Sequence, residues 1–305
     1  MNKITQTLLE IVSDIKGTPQ GAFNIREDGG CAGRQSTEHI KIESKKDRPG
    51  IDIIVTAGTK GEKVYIPACV THSNVDDLVY NDFYIGEGAD VTIVAGCGVH
   101  SDGGEQARHN GIHRFFLSKN ARVLYLEKHI GIGDGTGART IDPVTYVTLE
   151  DGASMEMDTT QIGGVDSTKR VTKAKVAEHA RLVIREKIMT EGKQRAESDF
   201  EVTLDGEDAA VDLVSRSVAK GESYQDFRSC ISGNAPCTGH SECDAIIMDH
   251  GIVNASPQLV ANHVDASLIH EAAIGKIAGE QILKLETLGL TEEEAERTIV
   301  EGFLK

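Results

Sequence analysis

The 305-residue sequence has no tryptophan, and aromatic residues make up only 4% of it. Its core must therefore be filled by aliphatic stacks, and the aromatic platforms of a carbohydrate-cleaving enzyme are missing. Lys and Arg number 32 against 48 Asp and Glu, a formal charge of −16. A general role in gripping phosphate backbones needs clustered cations and is excluded, so no nucleic-acid partner is expected. No stretch approaches the roughly 18 consecutive apolar residues of a membrane span. Met1 to Ile15 has no cationic start with an apolar run behind it, so a cytoplasmic protein without a membrane partner is expected. The glycines of Gly131-Ile-Gly-Asp-Gly-Thr-Gly137 have no Walker lysine, and the residues after them are strand-like. They read as a long turn, and no nucleotide is expected on this chain.

Strands dominate what is present. An apolar residue, two turn-like residues, a Gly, Asn or His, then Ala and alternating apolar positions recur along the chain. The unit reads Ile85-Gly-Glu-Gly-Ala89, Leu117-Ser-Lys-Asn-Ala121, Leu149-Glu-Asp-Gly-Ala153 and Val176-Ala-Glu-His-Ala180, and returns around Ala209 and Ala235. After each turn the apolar residues alternate: Val91 and Ile93, Val123 and Tyr125, Met155 and Met157, Leu182 and Ile184, Val211 and Leu213. A period of two means strand with one buried face. Strands recurring every 26 to 32 residues without intervening helices predict a mainly β, right-handed parallel β-helix over residues 41–278. The alternative is a β-sandwich, which hairpin signals every 8–12 residues would mark. Asn110-Gly111 is the one such pair in the repeats.

The ends differ from this core. Residues 1–40 read as a helix, with Ile4, Leu8, Leu9, Ile11, Val12 and Ile15 on one face, and a flexible loop over residues 26–37 carrying Cys31. Residues 279–305 read as two short helices. Glu280 to Leu288 stops at Gly289, and Thr291 to Glu294 is a capping box. Ile282, Leu285, Leu288, Ile299 and Phe303 are the apolar residues that either close the solenoid or meet a partner.

Six cysteines without an export signal are expected to be free thiols, and Cys69 reads as a small core hydrophobe. The densest candidate site is Cys237-Thr-Gly-His240-Ser-Glu-Cys243, with His270-Glu271 following 27 and 28 residues later. That separation is about one coil, so Cys243 and either His270 or Glu271 are expected on neighbouring rungs. Adjacent strand residues face opposite ways, so only one of the two shares the Cys243 face. Thiolate with imidazole or carboxylate suits iron or zinc held exchangeably.

At these residues the sequence resembles the SufB/SufD family of the SUF iron–sulfur assembly system. The likeness lies in Val94-Ala-Gly-Cys97, Ser118-Lys-Asn-Ala-Arg-Val123, Ser215-Arg-Ser-Val-Ala219, Glu242-Cys-Asp-Ala245, Leu268 to Ile277, and Gly289 through Phe303. The resemblance implies a non-catalytic scaffold in which two β-helices pair. Its C-terminal helices would dock a SufC-like ABC ATPase, and a transient iron–sulfur cluster would form at the interface. Cys243, His270 and Glu271 match the family's nascent-cluster ligands, and Cys97 matches its sulfur-accepting cysteine. His129 stands where the family has a tunnel glutamine. Cys237 and His240 lie outside the family pattern and are candidate extra ligands for iron. The chain is shorter than typical bacterial SufB, which points to a pair of identical copies in place of a SufB–SufD paralogue pair. A sulfur donor and cluster acceptors complete the implied partners. The competing readings are an assembly subunit with inert thiols and, on fold alone, a carbohydrate-active enzyme.

Overall fold

The alternating pattern folds into strands that stack as a parallel β-solenoid of about 8 turns, with 58% of residues in strands. The computed structural model describes residues 2–305. Two ten-stranded sheets face each other. One contains Ala22–Glu27, Lys60–Val70, Asp90–His100, Arg122–Ile132, Ser154–Ile162, Arg181–Thr190, Ala209–Ala219, Cys237–Ile247 and Ala266–Gly275 in that spatial order. The other runs from the Ile40–Ser44 hairpin strand to Ile252–Ala261. Asn110-Gly111 lies inside the strand Ala107–Leu117 and makes no hairpin.

The repeat unit has a backbone explanation. Gly88, Asn120, Gly152, His179 and Asp208 all have positive φ, between 55° and 69°. Each precedes a buried alanine, at 89, 121, 153, 180 and 209. The corner needs one left-handed residue, which Gly adopts freely and Asn or Asp tolerate. The next residue is buried against the coils above and below, so it must be small. Ala235 is not such a corner. Register places Cys237 opposite Ala209 and Ala266 opposite Cys237, so the last coil step is 29 residues.

Residues 26–37, expected as a flexible loop, belong largely to an antiparallel hairpin. Strand Gly30–Gln35 pairs with Ala22–Glu27, with Arg26 opposite Cys31. Helix α1 (Lys3–Ser13) covers the outer face of the first sheet and buries Leu8, Leu9 and Val12. Glycines in the sheet make room for it. A Cβ at Gly96 would lie 2.6 Å from Val12 Cβ, and one at Gly98 would lie 2.6 Å from Leu8 Cδ2. Cys69 packs in the same layer, with Leu8, Leu9 and Ile25.

The turn at residues 131–137 stacks on the preceding coil. Cβ atoms at Gly135 and Gly137 would collide with the backbone of Gly103 and Glu105. At the C-terminus, α2 (Gly279–Glu286) and α3 (Glu292–Phe303) follow the last coil, and Thr291 with Glu294 forms the expected capping box. Val300 and Leu304 pack against Val218. No helix among the described residues is long and apolar enough to cross a membrane.

Candidate functional site

The inward face of the first sheet changes character along each strand. Close to the corners it is apolar: Val91 and Ile93, Val123 and the Tyr125 ring, Leu182 and Ile184, Val211 and Leu213 all belong to the main core. Two residues further on, the same parity delivers a continuous cross-strand row of Ala95, Glu127, Thr159, Glu186, Ser215, Cys243 and Ala272. The next inward row begins Cys97, His129, Gln161. Polar groups this deep are costly unless partnered.

Most are partnered, to one another. Asn81 Nδ2 lies 3.3 Å from His113 Nε2, and His113 Nδ1 lies 2.9 Å from the Tyr125 hydroxyl. Tyr125 donates to Glu127 Oε1 at 2.8 Å, so its oxygen takes the Nδ1 proton of a neutral His113. Burial holds that imidazole neutral, with its pKa pushed down to about 4. Arg170 donates to Glu127 Oε2 at 2.7 Å, and its Nε lies 3.4 Å from Glu186 Oε1. Ser198 and Ser215 donate to the two Glu186 oxygens at 2.6 and 2.7 Å. Burial alone would raise the Glu127 carboxyl, but His129 and Arg170 hold it well below the usual carboxylate range. His129 Nε2 approaches Glu127 Oε1 at 3.4 Å yet has no hydrogen-bond partner. A polar corridor thus runs inside the solenoid from Asn81 to Ser215, and Cys243 is Ser215's neighbour on the next strand.

The structure divides the residues singled out in the sequence. Strand Cys237–Ile247 alternates strictly, so residues three apart face opposite ways. Cys237 and Cys243 point inward and His240 outward. The two cysteines are six residues apart on one strand, about 20 Å, and Cys237 fills a corner beside Gly233. Opposite Cys243 lies Ala272; His270 pairs with Ser241 and Glu271 with Glu242. The 29-residue coil step puts both expected ligands diagonal to the thiol. His270 shares its inward face, and both His270 ring nitrogens are buried without a partner. Burial pushes the Cys243 thiol up to about 12, so it is a neutral thiol until a cation displaces the proton.

Glu271 belongs to a different cluster on the outer face. One ligand atom each from His240, Glu242 and Glu271 lie within 4.8 Å of one another. His240 Nδ1 is 2.8 Å from Asp212 Oδ1 and its Nε2 is 3.7 Å from Glu271. The Asp212 hydrogen bond raises the imidazole pKa. Burial, with Asp244 alongside, raises the Glu242 carboxyl. Cys97 is buried at the head of the corridor opposite His129, and burial pushes its thiol well up.

The last coil lies open. Ala266–Gly275 and Ile252–Ala261 are the terminal strands of their sheets, so each leaves one backbone edge unpaired. Exposed Ile252, Val264, Ile269 and Ile274 lie on this coil. Of the C-terminal apolar residues, Ile282, Leu285, Ile299 and Phe303 are half-buried, while Leu288 is exposed together with Leu283.

The chain is similar to known proteins across most of its length. The SUF system FeS cluster assembly, SufBD core domain, matches residues 78–303. An iron–sulfur cluster assembly SufBD family protein of Archaeoglobus fulgidus is 32% identical over 277 residues, covering 89% of this chain and 72% of that protein. A SufBD family protein of Methanocaldococcus jannaschii is 27% identical over 316 residues, 99% of this chain and 98% of the relative. A third, from Methanothermobacter thermautotrophicus, is 29% identical over 78% of this chain, which spans 58% of that relative's length.

Proposed function

Because the chain belongs to the SufBD family of iron–sulfur cluster assembly proteins, we propose that it is a non-catalytic scaffold on which a nascent cluster is held and then released. The observation that carries this reading is that Cys243 and His270 stand on adjacent strands, diagonal to each other on one inward face, at the open end of the solenoid. A neutral thiol and an imidazole with two orphan nitrogens share one inward face. An apolar core has no use for an unpartnered imidazole, whereas iron takes both nitrogen and thiolate. The cluster and its iron are cargo, held by Cys243 and His270 from inside. Glu271, with His240 and Glu242 on the outer face, forms a harder nitrogen and oxygen set suited to ferrous iron before sulfide is added. Cys237 packs at its corner and takes no part.

Sulfur reaches Cys243 along the corridor. The Cys97 thiol takes the outer sulfur of a donor persulfide, whose own sulfur leaves as a thiol, and the polar row past His129, Glu127 and Glu186 lines the way towards Cys243 with partnered groups that the aliphatic half does not have. A second copy of the chain pairs across the open edge, where unpaired backbone and exposed isoleucines need cover. Leu283 and Leu288 on the C-terminal helical segment meet a SufC-like ATPase. ATP hydrolysis is that subunit's work, and its strokes open the paired edge so that an acceptor protein can take the cluster.

Anaerobic co-expression with a SufC-like ATPase tests this reading. Co-purification with iron, acid-labile sulfide and visible cluster absorption is expected. A complex that forms without iron under those conditions would leave only a structural assembly subunit with inert thiols.

A further inference from the structure

Near the N-terminal end a second chain of buried charge runs from sheet to sheet, and the corridor makes no use of it. Arg26 of the first sheet reaches across to Asp77 of the second, its Nε donating at 2.8 Å and its Nη2 at 2.6 Å. Asp77 is paired in register with His109 on the next coil, whose Nδ1 lies 3.0 Å from its Oδ2. Asp77 is 4% exposed and His109 1%. Burial would raise the Asp77 carboxyl, but hydrogen bonds from His109 and Arg26 hold it well below the usual carboxylate range. It is therefore an anion that accepts the Nδ1 proton. In a neutral His109 ring that contact fixes the tautomer, leaving the lone pair on Nε2.

His109 and Cys97 line one pocket of about 230 Å3 between the sheets, together with the basic residues Arg26, Arg34, Lys45 and Arg48. The two stand on consecutive strands of one coil, Ala107–Leu117 and Asp90–His100. Their cross-strand rows face each other. Arg26 and Ala68 lead to Cys97 in one row, Asp77 leads to His109 in the other, and the Arg26–Asp77 bridge spans the two. Stacked sheets lie about 10 Å apart, so an inward thiol and an inward imidazole on facing rows meet. Burial pushes the Cys97 thiol well up, and a neutral thiol is a poor nucleophile until a base takes its proton. The other candidates are committed. His129 and Arg170 hold Glu127 as an anion, and Asp77 is held likewise. His129 has its Nδ1 3.4 Å from Arg170 Nη2 and its Nε2 3.4 Å from Glu127 Oε1, so a donor and an acceptor claim both nitrogens. His113 is engaged by Tyr125 and Asn81.

We propose that His109 takes the proton of Cys97 when that thiol accepts sulfur, and passes it to the departing donor sulfur. The Cys97 thiolate attacks the outer sulfur of the donor persulfide. A new S–S bond forms on Cys97 as the donor's S–S bond breaks, its electron pair leaving on the donor sulfur. The imidazolium protonates that sulfur, so the donor departs as a thiol and nothing is oxidised or reduced overall. Asp77, clamped by Arg26, is a positioning residue: it fixes the tautomer of His109 and answers the charge of the imidazolium. The inference rests on the scaffold reading above for its sulfur donor, and it adds the group that makes Cys97 reactive.

The test is anaerobic alkylation of the full chain with iodoacetamide across a pH series, with the rate at each cysteine read by peptide mass spectrometry. In the parent, the Cys97 rate should climb as His109 loses its proton and then level off. In His109→Gln it should be about a hundredfold slower at neutral pH and climb about tenfold per pH unit without levelling. Cys31, exposed in the same pocket, is the internal standard and should keep its rate to within about twofold in the variant. Asp77→Asn keeps an acceptor for Nδ1–H but removes the charge, so the bend should move to lower pH; an unmoved bend would overturn its positioning role. Hydrogen exchange shows whether the variants keep their coils, and the parent profile decides alone if they do not. A parent profile that climbs without levelling, an inert Cys97, or a His109→Gln rate within about threefold of the parent would overturn the proposal. Cluster assembly by a chain whose Cys97 ignores His109 sinks only this inference. A His109-dependent Cys97 in a chain that assembles no cluster sinks only the scaffold role.

Discussion

Replacing Arg170 by Met removes the guanidinium that stands between Glu127 and Glu186, 2.7 Å from one carboxylate and 3.4 Å from the other. All three groups are buried. Breaking a buried ion pair from one side costs about 3–5 kcal/mol because the remaining charge is stranded. Here two carboxylates are stranded, but each keeps a hydroxyl donor: Tyr125 on Glu127, Ser198 and Ser215 on Glu186. We therefore expect the loss to stay near that range, about 3–5 kcal/mol of a total of roughly 5–15. Urea unfolding at pH 7 measures it. Combining Arg170→Met with Glu127→Gln and Glu186→Gln removes the stranded charges and should recover most of the loss.

The pH dependence gives an independent sign. In the parent Glu127 is depressed, so its contribution is present above the ordinary carboxylate range and is lost as pH falls through it. Without Arg170 burial is no longer offset by that guanidinium, and the carboxyl rises. The gap between parent and variant should therefore be widest at neutral pH and narrow towards pH 4. A loss under about 1 kcal/mol, or a gap that widens on acidification, would refute the claim that this network is a dry, mutually dependent unit.

Further expectations follow from the same geometry. His113 is kept neutral down to about pH 4 against an ordinary 6.5, so unfolding takes up a proton between those values. Stability should fall by up to ~3 kcal/mol as pH drops through that window, and His113→Gln should flatten this slope in acid titrations followed by denaturant melts. Gly96→Val places a side chain where Val12 sits, so α1 should undock while the solenoid persists. Hydrogen exchange over residues 3–13 would accelerate, with protection of the coils unchanged. The Cys243 thiol, raised to about 12, must lose its proton to bind iron. With the outer set removed by His240→Ala, Glu242→Gln and Glu271→Gln, ferrous affinity should therefore rise about tenfold per pH unit near neutrality, and a pH-independent affinity would remove Cys243 from the ligand set. Leu283→Asp with Leu288→Asp should abolish co-purification of the ATPase with no change in the thermal midpoint, since both side chains are exposed.

The solenoid was legible because its corners write themselves into the chain. Five successive turns demand a left-handed residue followed by a small one, and Gly88-Ala89, Asn120-Ala121 and His179-Ala180 all record that demand. The corridor lies on the same parity. Val123 and Tyr125 read as inward, and the same count of two lands on Glu127 and His129. Leu182 and Ile184 lead likewise to Glu186, and Val211 and Leu213 to Ser215. Charged residues disguise that continuation, because a charge in a strand usually marks its wet face.

The relation of Cys243 to His270 and Glu271 was legible only to within a residue or two. Side-chain direction has a period of two, so an error of one in coil length exchanges the two faces. The Ala235 marker suggested a 26-residue step from Ala209, whereas Cys237, two residues further on and not an alanine, holds the corner. The basic pocket had no sequence signal. Arg26 and Arg34 come from the hairpin over residues 22–35, and Lys45 and Arg48 from the turn between strands Ile40–Ser44 and Gly50–Val55, so two hairpins bring them together.

The scaffold account rests most directly on the thiol at the open end. Mössbauer spectroscopy of protein reconstituted anaerobically with 57Fe and sulfide should show cluster iron in the parent chain. In Cys243→Ser that signal should be absent, leaving only mononuclear ferrous iron on the His240, Glu242 and Glu271 face. The same cluster signal in the same yield from Cys243→Ser would contradict the account.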